Sequence, residues 1–133
     1  MKLTWLICGL AIFVAGCGGA GHTRFGTDSP FAGSYDGTWE DPIAVTQGNL
    51  DVVVSSDSEI TGFIDHPSHG AGSVTGLMAT DGDISGKFTY PGNLVFNYSG
   101  SLVETSGGLS GNVSVTQNGG GATVVYEVEF TKE

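Results

Sequence analysis

The residues with the most evident capacity for chemistry are Asp65, His66 and His69, which put one carboxylate and two imidazoles into the stretch Asp65-His66-Pro67-Ser68-His69. Imidazole and carboxylate groups can hold zinc, copper or nickel, but a firm site needs three or four ligands in fixed geometry. The sequence identifies no distant residue that completes such a set. His66 and His69 are thus weak candidates for a metal, and the expectation is a solvated turn stiffened by Pro67, with Gly70 and Gly72 beside it. Asp81-Gly82-Asp83 lacks the alternating acids and closing Glu of a calcium loop and reads as a hairpin turn. None of the serines stands in a Gly-x-Ser-x-Gly elbow between a strand and a helix. No glycine cluster opens a helix that could hold a phosphate. No catalytic residues, no cofactor and no enzymatic activity are expected.

The aromatic residues offer a different chemistry. Tyr35, Trp39, Phe88, Tyr98 and Tyr126 could line an apolar pocket in which phenol hydroxyls and an indole N–H orient one small ligand. With Tyr90, Phe96 and Phe130 they could equally fill a core. The filled core is the expectation and the small apolar ligand the alternative.

These side chains depend on a repeated strand pattern to position them. An apolar residue, then Ser, Thr or Asp, then Gly, any residue and a second apolar residue recur as Tyr35-Asp36-Gly37-Thr38-Trp39, Ile60-Thr61-Gly62-Phe63-Ile64, Val74-Thr75-Gly76-Leu77-Met78, Ile84-Ser85-Gly86-Lys87-Phe88, Tyr98-Ser99-Gly100-Ser101-Leu102 and Leu109-Ser110-Gly111-Asn112-Val113. Alternate residues of a strand share a face, so each Gly lies with its two apolar neighbours while the hydroxyl or carboxylate points away. No stretch beyond residue 32 has helical periodicity. Strands are expected over about 33–40, 49–55, 59–65, 73–79, 83–90, 94–104, 108–117 and 122–131, with the longest connection at 41–48.

Eight short strands joined by tight turns predict an all-β, antiparallel up-and-down meander. Closing it removes the exposed edges, so a small barrel is expected, with a two-sheet sandwich as the alternative. A lipid-embedded barrel does not fit. Its apolar side faces out, whereas here the face without the glycines carries Asp36, Thr38, Asp51, Thr61, Lys87, Asn97, Asn112, Glu127 and Glu129. Phe63, Leu77, Val53, Val95, Val103 and Val125 interrupt that face, and would mark a contact patch if they cluster.

The N-terminus has the order of a signal peptide: Lys2, an apolar run from Leu3 to Val14, then small residues. The run falls short of the roughly 20 apolar residues that span a bilayer. Val14-Ala15-Gly16-Cys17 resembles the lipobox of bacterial lipoproteins, and Ile7 is too large to precede a cut at Cys8. The resemblance implies a signal peptide over residues 1–16, a lipid on Cys17 and a mature chain that begins there. Residues 17–32 then form a flexible tether and 33–133 a single domain. The residue after Cys17 is Gly18 rather than the Asp that retains such proteins at an inner membrane. This implies lipid anchoring at the outer membrane or cell envelope, with the domain facing the periplasm or the exterior.

Within the domain, the repeated strands and Gly37-Thr38-Trp39 resemble avidin- and streptavidin-type barrels and, more loosely, lipocalins. The resemblance implies a barrel with an apolar interior. Glu40-Asp41-Pro42 follows where the avidin pattern has a Tyr-Asn pair, so biotin binding is not carried over.

Four Lys and Arg stand against fourteen Asp and Glu, for a formal net charge of −10. A surface so acidic repels nucleic acid, which is excluded as a partner. The expected function is that of a membrane-anchored, non-catalytic interaction module whose partner is an unidentified protein, or alternatively a small apolar ligand.

Overall fold

The computed structural model describes residues 28–133. The expected signal peptide at 1–16, the expected lipidation site Cys17 and most of the expected tether lie outside the described residues. The described chain is all-β: β1 (Gly33–Asp41), β2 (Thr46–Val54), β3 (Glu59–His66), β4 (Gly70–Met78), β5 (Asp83–Tyr90), β6 (Leu94–Thr105), β7 (Gly108–Gln117) and β8 (Thr123–Lys132). Each strand pairs antiparallel with the next, and β8 returns to β1, so the meander closes into an eight-stranded barrel. This is the up-and-down barrel that the strand pattern predicts, and not the sandwich.

Side chains alternate as the repeat requires. Along β5, Ile84, Phe88 and Tyr90 are buried while Ser85 and Lys87 are exposed. Tyr35, Trp39, Tyr98, Tyr126 and Phe130 join the buried interior, and Phe96 packs against it partly buried. Strands of eight to twelve residues reach the length that a bilayer asks for, so length alone does not set this barrel apart. The polar outer face does.

The repeat's glycines sit where neighbouring chains come closest. Gly37 pairs with Phe130, and Gly86 pairs with both Gly76 and Tyr98. The Phe130 ring covers Gly37, and a methyl group on Gly86 would lie 2.7 Å from the Tyr98 hydroxyl and collide with the Thr75 carbonyl. Gly62 and Gly100 meet partner-strand backbone in the same way, and Gly111 meets backbone and Leu102. Aromatic rings laid over strand glycines let a narrow barrel bend without leaving holes.

Two boundaries differ from the expected ones. β2 begins at Thr46 rather than near 49, because the β1–β2 connection is only the four residues 42–45. Val45 takes φ 56°, a left-handed conformation that its sequence does not advertise, and this closes the short turn. β4 likewise begins at Gly70, whose φ of 82° suits glycine. Of the segment read as a tether, residues 28–32 pack on the barrel: Ser29 N–H donates to the Ser56 carbonyl and Phe31 is buried in the core.

Candidate functional site

The barrel has two unlike ends. The lower end receives the chain at Phe31 and carries the turns at 55–58, 79–82 and 106–107. The upper end carries those at 42–45, 67–69, 91–93 and 118–122.

At the upper end His66, the last residue of β3, and His69, in the turn that follows, fold inward. Pro67 and Ser68 stay exposed as a solvated turn should, but the two imidazoles are half-buried and stacked, with centroids 4.2 Å apart and planes at 27°. The turn itself causes this. The Ser68 N–H donates to His66 Nδ1 at 3.0 Å, and the His69 N–H donates to the His66 carbonyl at 3.2 Å.

Below His66 the stack continues through the interior. His66 lies on the Trp39 indole at 4.9 Å and 14°, and Trp39 lies on Tyr126 at 4.4 Å and 24°. Tyr126 is parallel to Phe88 at 6.5 Å, and Phe88 stacks on Tyr98 at 4.7 Å. Tyr90 meets His66 edge-on at 6.0 Å, and Phe96 meets His69 at 5.4 Å. Polar tips are anchored on backbone: Trp39 Nε1 donates to the Asp65 carbonyl at 2.9 Å, and the Tyr98 hydroxyl to the Thr75 carbonyl at 3.1 Å.

Four of the five residues proposed to line a ligand pocket, Trp39, Phe88, Tyr98 and Tyr126, therefore occupy one another's ring faces. The fifth, Tyr35, stands apart at the lower end. Its hydroxyl donates to the Phe31 carbonyl at 2.7 Å, and its ring meets Phe130 edge-on at 6.2 Å. Below the stack lies a cavity of about 30 Å³, lined by apolar atoms of residues such as Leu50, Ile60, Met78 and Val113. Apolar walls of this kind stay dry.

No known protein family, curated protein or solved structure matches this chain. Geometry alone therefore characterises the site.

Among the described residues no group of three or more His, Cys, Asp or Glu side chains comes together around His66 and His69. Electrostatics favour neutral groups here. Burial and the neighbouring His69 push His66 below the usual imidazole value, against a smaller upward pull from Asp41. Burial raises Tyr90 and Tyr98, and burial with the Asp41 charge pushes Tyr126 up to about 12.

Asp41 is a member of this site that residue types alone did not single out. It is buried at the end of β1, and its Oδ1 accepts the N–H groups of Ile43 at 3.0 Å and Ala44 at 3.1 Å. The carboxylate shapes a turn whose apolar tips stand in solvent, Ile43 91% and Val45 82% exposed. An Asp followed by Pro and three apolar residues was the available signal. On the outer wall Val53 and Phe63 border one shallow depression across β2–β4, and Leu77 borders another.

Proposed function

We propose that this chain is a non-catalytic interaction module of the bacterial cell envelope, held to a membrane by lipid on Cys17 and acting through the outside of a filled barrel. The observation that carries the reading is the interior: stacked rings occupy its upper part, and the apolar cavity beneath them measures about 30 Å³. A ligand the size of a small metabolite needs a pocket of roughly 300 Å³ or more. The alternative, a barrel that binds a small apolar ligand inside, would require the stack to part.

The distribution of charge supports contact at the upper end. The turns 42–45, 67–69, 91–93 and 118–122 contain no Asp, Glu, Lys or Arg, and the strand ends beside them carry only Glu40, Asp41 and Asp65, whereas the lower end gathers Asp28, Asp57, Asp81, Asp83, Glu104, Lys132 and Glu133. On a chain of net charge −10 the upper tip is where another surface approaches with least repulsion, and Ile43 and Val45 offer it apolar area. The described chain enters the barrel at the lower end, so an anchor on Cys17 would leave the upper tip facing away from the membrane.

The anchor is tested by fractionating cells that express the wild-type chain or Cys17→Ala. The wild-type chain is expected with membranes and the variant in the soluble fraction. Equal membrane association of the two would remove the lipid from the account.

A further inference from the structure

His66 is held at the upper end by a contact that only a ring without a proton on Nδ1 satisfies. His66 Nδ1 accepts the Ser68 N–H, so that nitrogen carries no proton while the turn is closed. His66 lies between two rings, His69 at 4.2 Å and Trp39 at 4.9 Å, and each covers a face that a cation would otherwise hydrate. The groups that face it are His69 from the turn, Trp39 and Asp41 from β1, and Tyr90 from β5, with Tyr126 of β8 behind Trp39. Of these only Asp41 draws a proton toward His66, and its Oδ1 is already engaged by two backbone N–H groups. The tyrosines stay neutral throughout the acid range.

We propose that the His66–His69 stack is a proton-operated latch on the upper end of the barrel. It is closed while the His66 ring is neutral. In acid the protonated His66 releases the Ser68 N–H, leaves its place between His69 and Trp39, and uncovers the faces of Trp39, Tyr90 and Phe96. The surface so exposed is apolar and aromatic, suited to a flat apolar or aromatic group, and is hidden at neutral pH. The latch is independent of the contact role proposed above.

The sign follows from proton binding. The closed state holds His66 below its ordinary value, so between that depressed value and about 6.5 the open state binds more protons than the closed one. The closed state is thus fully favoured above about pH 6.5. It loses ground as pH falls, by up to about tenfold per pH unit for each proton taken up.

The test uses the full chain with Trp5→Phe, which leaves Trp39 as the sole tryptophan. Trp39 quenching by acrylamide and amide exchange of His66, Ser68, His69 and Gly70, corrected for the intrinsic pH dependence of exchange, are followed from pH 8 to pH 5. The expected result is a reversible transition with its midpoint below 6.5. In it Trp39 becomes accessible, Ser68 protection drops about tenfold per pH unit and the far-ultraviolet dichroism of the barrel is unchanged. Replacing both rings by ones that stack without titrating, His66→Phe with His69→Phe, is expected to abolish it. The latch is overturned if protection and quenching stay flat over the range, if the transition survives in the double variant, or if it coincides with loss of the barrel's dichroism. Should the double variant not fold, nuclear magnetic resonance titration of the wild-type imidazoles decides: a His66 midpoint at or above 6.5 refutes the latch, and one below it with concurrent loss of Ser68 protection supports it.

Discussion

The imidazole of His66 lies flat against the indole of Trp39, centroids 4.9 Å apart, although a whole strand separates β1 from β3. The strand between them, β2, supplies Gly48 as the register partner of Trp39. With no side chain at 48, the indole passes over β2, reaches the Asp65 carbonyl and meets His66. Tyr90 uses Gly72 in the same way, and its ring would contact a methyl group there at 2.7 Å. Glycines thus set where the rings go, and the rings in turn fill the barrel.

Gly48→Ala tests this relationship. The added methyl group would lie 2.7 Å from Trp39 Nε1 and collide with the Asp65 carbonyl. The expected cost is about 1–3 kcal/mol in chemical denaturation, as for overpacking elsewhere. The neighbouring exposed change Gln47→Ala is expected within about 0.5 kcal/mol of wild type. Equal effects at 47 and 48 would mean that the indole does not depend on the gap.

Tyr126 makes the barrel sensitive to alkali. Its hydroxyl is pushed up to about 12 from an ordinary value near 10, so the folded state keeps a proton that the unfolded chain releases. Stability is therefore expected to be level below about pH 10 and to fall as pH rises toward 12, a loss that Tyr126→Phe reduces. Tyrosinate absorbance near 295 nm, followed alongside circular dichroism, checks it. A Tyr126 that ionises at 10 with the fold intact would contradict the buried stack.

Much of this fold could be read from alternation. Ile84, Phe88 and Tyr90 against Ser85 and Lys87 place β5 at its observed bounds, and the repeated Gly-centred pentapeptides give the inward faces of β1, β3, β4, β6 and β7. The width of the β1–β2 turn was not legible, because it rests on a valine at positive φ, a conformation that valine disfavours. Nor was the pairing of His66 with Trp39. It requires the register that sets Trp39 opposite Gly48, and that register follows only once the turn is known to end at Val45. The histidines read as a solvated turn because their sequence neighbours are Pro, Ser and Gly. Their neighbours in space are Trp39, Tyr90 and Phe96.

Val45 itself gives a prediction opposite to the usual effect of removing an apolar side chain. It is 82% exposed and holds φ 56°, so the side chain gains little from burial and the backbone bears left-handed strain of about 1–2 kcal/mol. Val45→Gly is expected to raise stability by about 0.5–1 kcal/mol after the added flexibility of glycine in the unfolded chain is counted. A thermal melt checks the sign. A lower melting temperature would mean that the valine is held in place by contacts worth more than the strain.

The most direct test of the filled barrel is titration of an apolar naphthylamine fluorophore into the full chain carrying Trp5→Phe at pH 7.5, with energy transfer from Trp39 as the readout. The rings of His66 and Tyr126 occupy both faces of Trp39, so no saturable transfer is expected. Saturable one-to-one transfer that quenches Trp39 and persists with Ile43→Ser and Val45→Ser, which remove the exposed apolar tips, would show an open interior and contradict the account.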